Sequence, residues 1–317
     1  MKIIFMGTPD FAVFTLDELN KAGHDIELII TQPDKPRGRS GKLLPSPVKS
    51  WAIEHDIEVY QPKKIKDRGS IDYLKKYDVD IMVVAAFGQI LPKEILEMPT
   101  YGCINVHASL LPKYRGAAPI QWAILNGEDK TGVTIMQMGV GLDDGDILLT
   151  REVELDGTET GGSLFDNLAT IGARACVETI DRIEDITPIP QDENEATHVG
   201  MINKSLGLIN WNDSASKIER YVRGLNPWPS AYTSYKGKNL KIWKSRVVSE
   251  REITNLDIDL SQFTTGLVCF VNKKSLYVKT GDGILSLEEI QLEGKKRMDI
   301  SSFLLGNKIL PGEELGL

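Results

Sequence analysis

Lys2-Ile3-Ile4-Phe5-Met6, running directly into Gly7-Thr8-Pro9-Asp10-Phe11, decides how the first half of the chain folds. A short unbroken apolar run closed by Gly-Thr-Pro is the pattern of a strand buried on both faces. Phe11, Leu16 and Leu19 then recur at helical spacing over 11–22. The unit repeats along the chain. Strands are predicted at 26–31, 80–85, 103–106 and 132–138, with helices at 47–55, 67–77 and 117–126 between them. Strands alternating with helices predict an α/β fold with a Rossmann-like, mostly parallel sheet covered on both faces. Ligands on such sheets sit beyond the carboxyl ends of the strands, so the loops there are the place to look for chemistry. The first loop is not Gly-x-Gly-x-x-Gly, and Pro9 lacks the backbone donor that a phosphate cradle uses. A nicotinamide-type site is therefore not expected. Thr8 or Asp10 is read as the cap of the following helix, with Pro9 beginning it.

After residue 150 the pattern changes. Leu164, Leu168, Ile171, Ala175 and Ile180 mark one long helix over 161–184. Residues 185–200 are rich in Pro, Asp, Glu and Asn, without periodicity, and read as a linker or an extended strap. Short β-type segments follow at 240–243, 267–271, 275–278 and 284–287, with one helix at 214–225. A small antiparallel β-barrel of OB-like form, with one helix, is the expected second fold. The division is then 1–189 for the first domain, 190–206 for a linker and 207–317 for the second domain.

Hydrophobic residues make up 41% of the 317 and charged residues 26%, the profile of an ordinary globular protein. No apolar run approaches the ~20 residues that cross a bilayer, and the opening stretch is too short for a signal peptide. Cys103, Cys176 and Cys269 are odd in number and unpaired in motif, which argues against disulfides or zinc and fits a reducing compartment. The expectation is a cytoplasmic monomer with no membrane attachment and no metal. The net charge of −8 is unevenly spread. Residues 207–317 carry 16 basic and 13 acidic side chains, and 217–246 carries eight basic residues with only Glu219 acidic. Lys35, Arg37, Arg39, Lys42 and Lys49 form a second basic stretch. Charge alone leaves two readings open, solvated surface and RNA footprint.

Residues 105–119 read Asn-Val-His-Ala-Ser-Leu-Leu-Pro-Lys-Tyr-Arg-Gly-Ala-Ala-Pro. Asn105 and His107 flank Val106 at a strand end, so both point to one face. Gly141-Leu142-Asp143-Asp144-Gly145-Asp146 follows the next strand and is expected to bring a carboxylate to the same sheet edge. An amide N–H can hold negative charge developing on a carbonyl oxygen, and an imidazole beside a carboxylate can move protons near neutrality. That set suits acyl transfer to an amine. Serine-hydrolase chemistry fits poorly without a Gly-x-Ser-x-Gly elbow. A hydrogen-bonded structural Asn/His pair has the same spacing, and spacing does not separate the two. His24, His55 and His198 read as structural, Asp144 and Asp146 as turn residues, and Trp228, between Pro227 and Pro229, as a packing anchor.

The stretch from Asn105 to Pro112, followed by Arg115-Gly116-Ala117-Ala118-Pro119-Ile120-Gln121-Trp122 and the later Leu142-Asp143-x-Gly145, closely resembles the folate-dependent formyltransferase family. The resemblance implies transfer of a formyl group from 10-formyltetrahydrofolate to an amine by direct attack through a tetrahedral intermediate. It implies Asn105, His107 and Asp143 as catalytic residues, and Ser109, Leu110, Leu111 and Pro112 as part of the folate site. Family members act on a purine precursor, on water, on amino sugars or on methionyl-tRNA. The basic stretch 32–49 resembles an insertion loop that grips a tRNA acceptor end, with Lys35, Arg37, Arg39, Lys42 and Lys49 as its contacts and Arg39 matching the key arginine. About 110 residues beyond the linker, with Leu225-Asn226-Pro227-Trp228-Pro229 and Thr280-Gly281-Asp282-Gly283, resemble the tRNA-acting members' second domain. The implied acceptor is the methionine on initiator tRNA, in translation initiation.

Overall fold

The structure, a computed structural model, describes residues 1–37 and 42–316. The chain forms two compact units. One comprises Met1–Ile120, Lys130–Glu154 and Phe165–Gly200; the other comprises Gln121–Asp129, Leu155–Leu164 and Met201–Leu317.

The first unit follows the predicted alternation: β1 (Lys2–Gly7), α1 (Asp10–Lys21), β2 (Asp25–Ile30), β3 (Lys35–Arg37), β4 (Lys42–Leu44), α2 (Pro47–Glu54), β5 (Val59–Tyr60), α3 (Arg68–Leu74), β6 (Ile81–Ala85), α4 (Lys93–Leu96) and β7 (Cys103–His107). It continues through β8 (Arg115–Gly116), α5 (Pro119–Asn126), β9 (Lys130–Gln137), β10 (Ile147–Glu154), α6 (Gly161–Asp181) and β11 (His198–Val199), with α5 and α6 each divided between the units. The seven-stranded sheet runs β10-β9-β7-β6-β1-β2-β5. Its five strands from β7 to β5 are parallel, and β9 and β10 are antiparallel. Ile3, Ile4, Phe5 and Met6 are fully buried. Ile4 and Met6 pack with Leu28, Ile30, Met82 and Val84 of neighbouring strands and with Ile71, Leu74 and Ile95 of α3 and α4, which is the physical content of the opening apolar run.

Gly7 ends β1 because no side chain fits there: a Cβ would lie 2.5 Å from the Ala12 Cβ and 2.9 Å from the Ala85 carbonyl oxygen. Pro9 is the residue before α1 rather than its first turn, and neither Thr8 nor Asp10 caps the helix. The Thr8 hydroxyl is taken up elsewhere. It accepts from the Gln32 N–H at 3.3 Å and lies 3.4 Å from the Phe87 carbonyl, joining the loops after β1, β2 and β6.

The second unit holds α7 (Ala215–Gly224), β12 (Ala231–Tyr235), β13 (Lys238–Val247), α8 (Glu250–Asn255), β14 (Val268–Val271), β15 (Leu276–Lys279), β16 (Ile284–Leu292), β17 (Met298–Asp299) and α9 (Ile300–Gly306). Its sheet is antiparallel, in the order β12-β13-β16-β15-β14 with β17 on β16. Among the described residues the pairing is an open path, with no ladder joining β12 to β14. Ile218 and Val222 of α7 pack on Leu240, Ile242, Leu285 and Leu287. The buried tryptophan of this core is Trp211, 7% exposed, with its Nε1 donating to the Thr233 hydroxyl at 3.2 Å. Trp228 is 53% exposed and is not the packing anchor expected of it.

Glu252 accepts from both terminal guanidinium nitrogens of Arg246, Nη1 and Nη2, at 2.8 Å, and the Tyr277 hydroxyl also donates to it. These donors hold its carboxyl at about 2, well below the ordinary value. A depressed carboxylate stabilises the fold above its unfolded value and loses that contribution as pH falls through its folded value. Glu252→Gln should therefore lower the melting temperature relative to wild type at pH 6, with the gap closing between about pH 4.5 and 2. Thermal unfolding of both proteins across that range measures it. A gap independent of pH contradicts the assignment.

Candidate active site

Asn105 and His107 lie on β7, 9% and 6% exposed. Val106 between them faces the other way, where Gly172 of α6 leaves room for it: a Cβ on Gly172 would lie 2.9 Å from Val106 Cγ1. The alternation read from sequence thus places the amide and the imidazole on one face. Among the described residues the Asn105 carboxamide has no hydrogen-bond partner, although its polar atoms are not sealed from solvent. A poorly exposed carboxamide with its donor unspent suits an incoming oxygen.

The His107 ring is fixed by its loop. Nε2 lies 3.0 Å from the Tyr114 carbonyl oxygen. A carbonyl only accepts, so Nε2 carries a proton. Nδ1 is then the basic nitrogen of the neutral ring, and it faces Asp143 Oδ2 at 3.8 Å. The same carboxylate oxygen accepts the Gly116 N–H at 2.8 Å.

Asp143 arrives by a route that strand order alone misstates. Because β9 is antiparallel, its carboxyl end lies beside the amino end of β7, Gln137 opposite Ile104. The loop 138–146 therefore does not start at the sheet's ligand edge. It folds back toward His107, and Asp143 itself takes a left-handed φ of 51°, a conformation that Asp tolerates better than most residues. Glycine is required at the crossing: a Cβ on Gly145 would lie 1.7 Å from the Gln137 carbonyl oxygen. The Asp144 carboxylate fills the space beside Gly139 and Gly141, in keeping with a turn residue. Val140 and Leu142, on the chain leading into Asp143, are exposed, at 68% and 53%.

Ser109 and Leu111 are buried and tied down by one hydroxyl. Thr134 Oγ1 donates to the Ser109 carbonyl at 2.7 Å and accepts the Leu111 N–H at 3.1 Å. The Ser109 hydroxyl donates to the Lys113 carbonyl at 2.7 Å. Leu110 packs over Gly132, where a Cβ would lie 2.5 Å from it, and Pro112 is partly buried.

In the basic stretch, β3 pairs antiparallel with β4, Lys35 opposite Leu44 and Arg37 opposite Lys42. Lys35 is exposed. Arg39 lies outside the described residues. Lys49 is committed within the fold: its Nζ binds Asp34 at 2.6 Å and Gln61 at 2.8 Å, and these contacts hold the Asp34 carboxyl below its ordinary range. Lys49 thus ties α2 to Asp34, the residue before β3. Of the eight basic residues in 217–246, Lys217, Arg223, Lys236, Lys244 and Arg246 are in ion pairs. Among the described residues no group of three or more His, Cys, Asp or Glu side chains could hold a metal ion. Among the described residues no helix is long and apolar enough to cross a membrane.

The formyl transferase family model matches residues 1–180, and the model of the formyl transferase C-terminal domain matches residues 201–308. The chain belongs to the formyl transferase family. Methionyl-tRNA formyltransferase of Agathobacter rectalis is 53% identical to this family member, over 98% of each chain. That of Lachnospira eligens is 51% identical over the whole of both. The solved structure of WlaRD, a sugar 3N-formyl transferase in the presence of dTDP and 5-N-formyl-THF, overlays with a TM-score of 0.65 at 21% identity, covering 93% of this chain and 99% of that one. Likeness at that identity shows the fold.

The Thr134 bridge carries a direct test. Thr134→Val leaves the Leu111 N–H and the Ser109 carbonyl without their partner, at about 1–3 kcal/mol for a buried polar group left unsatisfied. Thr134→Ser keeps both bonds. Denaturant unfolding should rank Thr134→Val clearly below Thr134→Ser; equal stabilities contradict the bridge.

Proposed function

We propose that the protein transfers the formyl group of 10-formyltetrahydrofolate to the α-amine of methionine carried on initiator tRNA. The observation that carries this reading is identity above 50% over essentially the full length, both matched domains included, with relatives named for that activity.

The residues of the site suit the chemistry. 10-Formyltetrahydrofolate supplies an electrophilic formyl carbon. Asn105, its carboxamide donor unspent, holds the negative charge that develops on the formyl oxygen as the amine adds. His107 Nδ1 takes the proton that the amine loses, because Nε2 is committed to Tyr114. Asp143 faces that nitrogen and stabilises the imidazolium so formed. The proton then passes to the folate nitrogen as its bond to the formyl carbon breaks, so charge and atoms balance over the cycle. The Ser109–Pro112 loop, with Leu110 and Leu111, and the exposed Val140 and Leu142 offer the apolar surface for the folate ring.

In the same reading Lys35, Arg37, Arg39 and Lys42, from the stretch 35–44, contact the acceptor end of the tRNA, and Lys49 holds Asp34 beside that stretch. The antiparallel second unit, taken as an OB-like module over 207–317, adds a salt-dependent grip on the phosphates. Catalysis stays within the first unit, which holds the expected catalytic span 1–189 and also the first part of the expected linker, up to Gly200. The protein works in the cytoplasm as a monomer.

Asn105→Ala should lower kcat about 100- to 1000-fold, the usual cost of one such donor, while tRNA affinity stays within about twofold. Arg39→Ala should raise KM for the tRNA about tenfold or more, the order of one good bidentate contact, and leave KM for the folate unchanged. Steady-state formylation with each substrate varied measures both. Parallel losses for tRNA and folate in Arg39→Ala contradict the assigned role of the loop.

A further inference from the structure

The segment after α6 was expected as a linker or strap. Its residues 189–199 lie within the first unit and are hydrogen-bonded to it at three places. Ile189 exchanges two backbone hydrogen bonds with Ile147, at 2.8 and 2.9 Å. His198 and Val199 pair with Arg115 and Gly116 as a short parallel ladder. Between these anchors, Gln191 reaches the turn that presents Asp143. Its Nε2 donates to the Asp143 carbonyl at 2.9 Å and to the Gly145 carbonyl at 2.6 Å. Its Oε1 accepts from Arg115 Nε at 3.1 Å and Nη2 at 2.9 Å.

Arg115 is unusual for a charged side chain, only 3% exposed. The guanidinium gives two more N–H groups to Glu193, at 2.7 and 3.0 Å, and these bonds hold the Glu193 carboxyl below its ordinary range. The Arg115 backbone N–H is tied to the Thr197 carbonyl at 2.8 Å. The next N–H, of Gly116, donates to the Asp143 carboxylate. Asp143 is therefore gripped at both ends, its carboxylate by the Gly116 backbone and its carbonyl by the Gln191 amide. Arg115-Gly116 stands behind both contacts.

We infer that Gln191, braced by Arg115, is a positioning residue that holds the Asp143 turn in register with His107. The chemistry explains the residue type. Two carbonyls and a guanidinium meet at one point, and a neutral amide satisfies both kinds of group at once. Glutamate in its place could accept from Arg115 but could not donate to the two carbonyls. The fold-back of 138–146 starts at the far end of β7 from His107, so nothing in the strand order fixes where Asp143 stops. The amide supplies that fixed point.

The inference rests on the reading that Asp143 acts on His107, and a double-mutant cycle separates the two. Single-turnover formyl transfer would be measured for wild type, Gln191→Glu, Asp143→Asn and the double variant, with pH profiles and with KM for each substrate. Gln191→Glu is expected to lower the rate about 10- to 100-fold, as loss of a support for a catalytic group does, with both KM values within about threefold. Its pH–rate profile should shift, because the carboxylate facing Nδ1 is displaced. In the Asp143→Asn background the same change should cost less than about threefold. Equal fold losses in both backgrounds, or an effect confined to KM, overturn the brace while leaving catalysis by Asp143 standing. An Asp143→Asn variant with wild-type turnover removes the catalytic reading itself, and the brace with it.

Discussion

The site depends on one hydrogen bond, that of His107 Nε2 to the Tyr114 carbonyl. It sets the tautomer, leaves Nδ1 as the basic nitrogen and aims it at Asp143. Each remaining feature of the first unit can be read as a condition on that geometry. Thr134 fixes the Ser109–Pro112 path that leads the chain to Tyr114. The β8–β11 ladder fixes Arg115 and Gly116 just beyond it. Gly145, where a Cβ cannot fit, allows the loop after β9 to turn back across the sheet. Dense packing makes such a site discrete: its groups meet at one arrangement and do not drift.

Much of the first unit was legible in the sequence because its signals are strong. Unbroken apolar runs such as Ile3–Met6 have one stable home, a strand covered on both faces. The strand β10 was not legible. Its residues run from half buried to exposed, in the pattern of an edge strand with one wet face, and Ile147-Leu148-Leu149-Thr150 lacks the alternation that would mark it. The same omission explains the misplaced loop. Without β10 as its antiparallel partner, β9 passes for one more parallel strand, and Asp143 seems to lie at its ligand end. β12 was missed for another reason: its buried positions are Ala231, Thr233 and Tyr235, which carry little apolar signal.

The amide and imidazole of the site were legible from two-residue spacing on a strand. Gln191 was not, since a glutamine in a segment rich in Pro, Asp and Glu looks solvated until the structure shows two carbonyls and a guanidinium around it. Charge counting along the sequence also sees only part of the pairing. The run 217–246 looks strongly basic because Asp213, Glu252, Glu288 and Glu313, which pair with four of its cations, lie outside that window. The exposed pairs of Lys236 and Lys244 are weak and exchangeable, unlike the bidentate Arg246–Glu252 pair. In the proposed reading selectivity falls to the stretch 35–44, where Leu43 and Leu44 are 66% and 45% exposed.

The proposed reaction is formylation of methionine on initiator tRNA. The direct measurement is formyl transfer from 10-formyltetrahydrofolate to methionyl initiator tRNA beside methionyl elongator tRNA, with the wild-type protein. Efficient transfer to the initiator with little to the elongator is the predicted result. Transfer to neither, or to both alike, contradicts the assigned acceptor.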